Sequence, residues 1–459
     1  MKNMTLNKIA AVTEGKLFLP EGFESAKDME IAGAVNDNRK IEKDFLFIPM
    51  VGAKVDGHDF IDDVFNKGAL ATLSEKPLDA PKGPYIQVKD TKLALKQIAT
   101  AYRQELEIPV IGVIGSVGKT STKEMISSVL QTKFSVLKTE GNFNNEIGLP
   151  LTICRIRPEH EVAVVEMGIS DFGEMHRLGD IAKPDIVVMT NIGQCHLEFL
   201  KDRDGILKAK TEVFEHMPKD GLVILNGDDD KLRDADTLGL RKVFYGMNGQ
   251  QINAKNVEPR GLTETVATIS VDGDTFDVVI PLPGSHNVMN ALAATAVGHE
   301  LGLSHEEIAL GLSKAGTIAG RNNIIQVGGV SIIDDCYNAN PVSMRASIEV
   351  LGKAAGRTIA ILGDMGELGD DELKLHYEIG EALEANHIGY VFTVGKLSEE
   401  INKSLSNCNS SCLAYHYDTI DSMLVDLLPI IRTDDTILIK ASHFMNFGHV
   451  VEAIENYLK

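Results

Sequence analysis

The chain has 459 residues, 44% hydrophobic and 24% charged, with a formal net charge of −21. That length is too great for one core and points to about three domains. The acidic balance, with no long Lys/Arg block against it, excludes general binding to nucleic acid or to an anionic membrane. The five cysteines are scattered except for Cys408 and Cys412, a pattern that fits a reducing cytosol. No signal-peptide pattern opens the sequence and no apolar run reaches membrane-spanning length, so the expected location is the cytoplasm, without membrane insertion.

Residues 1–107 read as a small α/β domain. Strand-like runs occur at Phe45-Leu46-Phe47-Ile48 and Tyr85-Ile86-Gln87-Val88, and a helix is expected from Leu93 to Glu105 with Leu95, Ile98, Ala99 and Tyr102 as its apolar stripe. Two polar turns, Asn36-Asp37-Asn38-Arg39 and Asp56-Gly57-His58-Asp59, carry residue types that bind ligands and that also simply make turns.

A second region, 108–317, begins at Pro109 and alternates apolar strands with helical segments, as in a parallel sheet covered on both faces. Its first run, Val110 to Ile114, ends in Gly115-Ser116-Val117-Gly118-Lys119-Thr120-Ser121, after which Met125, Ile126, Val129 and Leu130 recur at helical spacing. Strand, glycine turn and helix make a phosphate grip: backbone N–H groups and the helix N-terminus face phosphate oxygens, Lys119 reaches the outer phosphates, and the Thr120 hydroxyl suits Mg2+. Only the short Gly-x-x-Gly-Lys-Thr form is met, because Val113 stands where the general pattern has glycine. The stretch Thr139 to Gly148, with Asn142, Asn144 and Asn145, is rich in amides that donate and accept.

The next strand delivers Glu166 to the sheet edge, where a carboxylate either holds a metal or caps the strand. A third delivers Asn191 and His196, the latter a metal ligand or a surface histidine. The helix around Lys208 and Lys210 reads as amphipathic with solvated lysines. Asp228-Asp229-Asp230 reads as an exposed turn, residues 243–281 as antiparallel β structure, and Ser304 with Glu307 as a capping box. The third region, 318–459, is a second doubly wound domain. Polar residues gather at its strand ends: Asp334, Asp335, Tyr337, Asn338 and Asn340, then Asp364, then Lys440, Ser442 and His443.

Taken together, the motifs resemble the Mur ligase family of peptidoglycan synthesis. The likeness runs from Asp56-Gly57-His58 through the Gly-x-x-Gly-Lys-Thr loop, Glu166-Met167-Gly168, His286-Asn287-x-x-Asn290 and Tyr337-Asn-Ala-Asn-Pro341 to Gly363-Asp-Met-x-Glu-Leu-Gly369. The resemblance implies a three-domain α/β protein: a small N-terminal domain binding a UDP-sugar, a central P-loop ATPase domain, and a C-terminal Rossmann-like domain. It implies ATP and two Mg2+ ions as cofactors, and as reactants a UDP-N-acetylmuramoyl-tripeptide and D-alanyl-D-alanine, handled by a monomer.

By position, the resemblance assigns Thr120 and Glu166 to the first metal, and His196 with a carbamylated Lys210 to the second; Lys208 competes for the last role. Lys119, Glu166, His196 and Lys210 are catalytic, Asn287 and Asn290 lie on the adenine side, and Arg321 and Asp335 reach the phosphates and ribose. Asn38, Arg39, His58, Thr139, Asn142, Asn144, Asn145, Tyr337, Asn338 and Lys440 contact the substrates. The chain departs from the family pattern at Val117 and Ser121, at Asn36 to Arg39, and in Lys440-Ala-Ser-His-Phe-Met-Asn-Phe.

Overall fold

A computed structural model describes residues 1–408 and 411–459. Among the described residues three sheets follow one another along the chain, of five, nine and six strands. The first is parallel from Gly33–Val35 through Phe45–Phe47 and Ala71–Ser74 to Tyr85–Gln87, with Lys16–Phe18 added antiparallel. The helix Thr91–Gln104 closes this region. It starts two residues earlier than the sequence pattern implies because the Asp90 side chain accepts from the Lys92 and Leu93 N–H groups. Leu95, Ile98, Ala99 and Tyr102 are buried as expected, and they join the first sheet's core to helices on one face of the second sheet.

The nine-stranded sheet has the phosphate-loop strand Val110–Ile114 between Val162–Glu166 and Ile186–Met189, all parallel. The chain leaves Val110–Ile114 toward one edge and later returns to its other side. The loop therefore sits at a topological switch point, where the strand ends diverge and leave a crevice. All five residues of that strand are buried, as a strand covered on both faces requires.

Beyond Leu222–Asn226 the expectation of antiparallel structure from 243 onward needs correction. Arg241–Gly246 runs parallel to its neighbour and pairs in parallel with the start of Ile252–Arg260; only the last two pairings, through Glu264–Val271 and Asp274–Ile280, are antiparallel. The acidic run is also more than an exposed turn. Asp229 accepts from the Lys231 and Leu232 N–H groups, capping a short helix, and from the Ile192 N–H at 2.9 Å, which ties the run to the loop after Ile186–Met189.

The third sheet is parallel from Val330–Asp334 through Thr436–Lys440, Thr358–Gly363 and Tyr390–Val394 to Leu413–Tyr417, with Asn323–Val327 antiparallel at one edge. The last strand in sequence inserts between the first and second parallel strands. This brings Lys440 beside Asp334 and Asp335 at the carboxyl edge. The capping box of Ser304 and Glu307 is present. No helix among the described residues is long and apolar enough to cross a membrane.

Candidate active site

The carboxyl edges of the second and third sheets face each other across a cleft of about 590 Å³. On the near side the glycine loop is pinned from the neighbouring strand. Asn191 accepts from the Val117 N–H and donates to its carbonyl, Thr190 donates to the same carbonyl, and Ser116 exchanges hydrogen bonds with the Gly193 backbone. Gly115 (φ +152°) passes so close to Thr190 that an added Cβ would lie 1.9 Å from its Oγ1, so no other residue fits. Gly118 (φ +83°) precedes the helix Lys119–Leu130, whose open N-terminal amides complete the cradle. Lys119 is folded over the loop, its Nζ donating to the Gly115 carbonyl at 2.8 Å. Burial lowers its pKa, against Glu166, which raises it.

Glu166 is 1% exposed. Its Oε1 accepts from Asn144 Nδ2 at 2.8 Å, while Oε2 is buried with no partner among the described residues. A buried carboxylate oxygen without a donor is costly unless a cation completes it, and Glu166 lines the cleft together with Thr120 and His196. Lys210 is also 1% exposed. It projects from the last turn of the helix Arg203–Thr211 into the interior, so it is not the solvated lysine its helix pattern implies. Burial pushes its pKa down to about 8; Cys195 acts against that shift and Lys119 adds to it. The neutral fraction at ordinary pH is therefore far larger than for an exposed lysine, about a tenth at pH 7. His196 sits at the cleft with its pKa lowered by burial, Glu367 opposing, and Lys210 and Lys119 lowering it further. Lys210 does not itself line the cleft but lies close enough to His196 to influence it electrostatically; in the lining, the free carboxylate oxygen of Glu166 with the Thr120 hydroxyl and the His196 imidazole fits divalent metal binding.

Across the cleft, the Arg321 guanidinium lies 4.1 Å over the Tyr337 ring, and Tyr337 meets His443 edge to face. Lys440 Nζ donates to Asp335 Oδ2 at 2.5 Å and to the Asn338 carbonyl at 3.0 Å. Asp335 is held as well by Ser347 and by the Asn322 N–H.

Of the remaining expected site residues, Ser116, Val117, Ser121, Asn142, Asn145 and Asn290 line this cleft too. Asn287 does not: it faces an adjoining small pocket and donates to the Pro283 carbonyl. Thr139 is buried behind Glu166, accepting from its N–H at 3.0 Å, and lies outside the lining.

A second cavity of about 920 Å³ lies between the first sheet and the loop after Thr139. Asn38 and Arg39 line it. Arg39 grips Asp37 with both its backbone and its guanidinium, and that guanidinium holds the Asp37 carboxyl down at about 2. His58 is not in the lining; its Nδ1 pairs with Asp56 and its Nε2 accepts from the Glu75 N–H, so it braces a turn. Sequence reasoning missed Arg155 and Arg157, which reach this cavity from the second region. Arg155 Nη1 is a buried donor without a partner among the described residues. Neither arginine belongs to a motif, and only the packing of the two regions brings them there. Glu367 was also missed as a site residue, although its motif was noted.

A phosphate loop at a switch point, opposed by a second ligand-binding sheet edge and preceded by a small domain with its own cavity, defines a three-domain α/β protein of the phosphate-loop class. The chain belongs to the Mur ligase family. Family models described as the Mur ligase family catalytic domain, the Mur ligase middle domain and the Mur ligase glutamate ligase domain match residues 30–103, 113–298 and 320–443 in turn. The chain is 39% identical, over 98% of both sequences, to the UDP-N-acetylmuramoyl-tripeptide--D-alanyl-D-alanine ligase of Bacillus subtilis (strain 168). Among solved structures it is similar to MurF from Acinetobacter baumannii, with TM-score 0.89, 31% identity and 99% of each chain covered. It is also similar to MurF ligase from Thermotoga maritima in complex with ADP, with TM-score 0.82, 30% identity, 93% of this chain and 97% of that one covered.

Proposed function

We propose that this protein is an ATP-dependent peptide ligase that joins D-alanyl-D-alanine to UDP-N-acetylmuramoyl-tripeptide, a cytoplasmic step in making peptidoglycan precursor, and that it works as a monomer. The observation that carries this reading is the single cleft with the phosphate loop on one wall and Arg321, Asp335, Tyr337 and Lys440 on the other. Three units share the work: residues 1–107 hold the nucleotide end of the tripeptide, 108–317 hold ATP, and 318–459 hold the incoming dipeptide.

In the first step an oxygen of the tripeptide's terminal carboxylate attacks the γ-phosphorus of ATP, and ADP departs, leaving an acyl phosphate. The loop amides and Lys119 stabilise the charge that spreads over the transferring phosphoryl oxygens. In the second, the amine of D-alanyl-D-alanine attacks the acyl carbon, phosphate leaves with the former carboxylate oxygen, and the new amide nitrogen gives up a proton. Two Mg2+ ions, when bound, neutralise the phosphate oxygens and polarise the acyl phosphate. Thr120 and Glu166 would hold one of them, and the unpartnered Glu166 Oε2 supports that assignment.

His196 and Lys210 would hold the other. The neutral Lys210 amine adds to the carbon of CO2 and releases one proton to solvent, so an uncharged amine becomes a carbamate anion; its pKa of about 8 supports this over Lys208. Asn290, Asn287, Arg321 and Asp335 serve the nucleotide of ATP, while Tyr337, Asn338 and Lys440 face the dipeptide. In the first-domain cavity, Arg39 and the unsatisfied Arg155 suit the diphosphate of the tripeptide nucleotide. Closure of the third domain on the second is part of the mechanism, because neither wall alone holds both reactants.

The test is purified protein with ATP, Mg2+, UDP-linked tripeptide and D-alanyl-D-alanine, followed by mass analysis. One amide product per ADP is expected. No product, or a product only when a single amino acid replaces the dipeptide, overturns the reading.

A further inference from the structure

The loop that carries His196 reaches across from the second domain to the third. His196 Nδ1 lies 2.5 Å from Glu367 Oε2, a contact between residues 171 apart in sequence. Both residues adopt left-handed backbone, His196 at φ +53° and Glu367 at φ +60°, a conformation that non-glycine residues seldom take without a reason in the surrounding structure. The contact is seated by packing on both sides. Leu197 packs against the core of the second domain and that of the third, and Gly369 lies beside the Glu198 backbone, where an added Cβ would be in ordinary contact with its nitrogen.

A carboxylate oxygen only accepts, so in this pair the proton sits on Nδ1 and the Nε2 lone pair is left free on a ring of fixed orientation. Carboxylates placed this way fix the tautomer of a metal-binding histidine and raise its basicity. Here the carboxylate comes from the opposite domain. Glu367 is not itself within the cleft lining, so its influence on the reaction runs through His196.

We propose that Glu367 is a positioning residue for His196, and that it readies the imidazole for a divalent cation only when the third domain is docked. Metal loading and domain closure are then one event, so ATP is not committed to phosphoryl transfer before the wall that holds the amine has arrived. This rests on the ligase reading above.

The experiment uses the full chain with a non-hydrolysable ATP analogue and the tripeptide nucleotide, and counts Mn2+ by electron paramagnetic resonance in wild type, Glu367→Ala and Glu367→Gln. Circular dichroism confirms folding of each. Wild type is expected to bind two Mn2+. In Glu367→Ala the weaker of the two sites loses about 10–100-fold in affinity, and kcat falls with it, while KM for the tripeptide nucleotide stays as it was. Glu367→Gln, whose amide oxygen still accepts from Nδ1, stays within a few-fold of wild type.

A contact that only ties the domains together predicts superposable Mn2+ isotherms and a lower melting temperature, and that result overturns the proposal. If wild type makes no amide product, the ligase reading fails and takes this inference with it. If wild type is active and the isotherms superpose, this inference alone fails.

Discussion

At the carboxyl edge of the central sheet, Glu166 keeps one buried oxygen without a donor, and burial holds Lys119 and Lys210 below the usual range for an amine. At the facing edge of the third sheet the acidic groups are satisfied from within. Asp335 is gripped by Lys440, Ser347 and the Asn322 N–H; Asp334 accepts from the Gly320 N–H; Asp364 accepts from the Leu397 and Ser398 N–H groups. Both edges are polar and buried, yet only one leaves its charges uncompensated. A charge buried without a partner persists where a ligand completes it, whereas a charge with all its partners in place holds a loop in shape. On the ligase reading proposed above, the central edge is then the one that reacts and the third edge the preset wall that presents the dipeptide.

That contrast breaks most sharply at Lys210. Lys210→Ala is expected to lower ligation on the order of 10³-fold, read as amide product by mass, with no rescue by bicarbonate because the amine that adds CO2 is gone. Full activity in that variant removes the carbamate.

Next come two matched substitutions that convert a carboxylate to an amide. Asp335→Asn leaves buried Lys440 poorly paired and is expected to destabilise the chain by about 3 kcal/mol in denaturant unfolding. Glu166→Gln keeps an acceptor for Asn144 and is expected to change stability by less than about 1 kcal/mol, while ligation falls by about 10²-fold. Equal stability losses in the two variants would erase the distinction between the edges.

A smaller effect lies in the pH dependence of folding. The Lys210 pKa is about 8 in the folded chain and near its ordinary value, 10.5, when unfolded. Between those values the unfolded chain binds more protons, so stability rises with pH across that window, by roughly 3 kcal/mol at most. The difference between CO2-free wild type and Lys210→Met in denaturant midpoints isolates this slope; a flat difference contradicts the burial argument.

The smallest effect is expected at Arg39, on the exposed rim of the other cavity. Its ion pair with Asp37 is screened by water, so Arg39→Ala should scarcely move the melting temperature at pH 7. The pair lowers the Asp37 pKa from 3.8 to about 2, so what little it contributes is present above pH 3.8 and lost as pH falls through about 2. KM for the tripeptide nucleotide should nevertheless rise.

The parallel strands and the glycine loop were legible because buried strands read as unbroken apolar runs, as in Val110 to Ile114, and because a phosphate grip needs glycine and lysine at fixed spacing. The edge strands Asn323–Val327 and Leu413–Tyr417 escaped notice. Their residues are half-buried or exposed, with no fully buried face to set a period. Lys210 was placed by the family resemblance, whose chemistry requires a desolvated or metal-coupled amine, whereas the helix pattern alone read it as solvated: such a pattern reports which residues share a face, not that another element covers the charged one. His58 shows the converse, since its turn chemistry accounts for it without a ligand. Arg155 and Glu367 owe their places to contacts between domains, which no local pattern encodes.

The most direct test of the central claim follows the oxygen atoms. Tripeptide nucleotide labelled with 18O in both oxygens of its terminal carboxylate is ligated, and the inorganic phosphate is analysed by mass. An acyl phosphate formed in the cleft places one 18O in each phosphate released and leaves the other in the new amide. Unlabelled phosphate accompanying amide product would contradict the account.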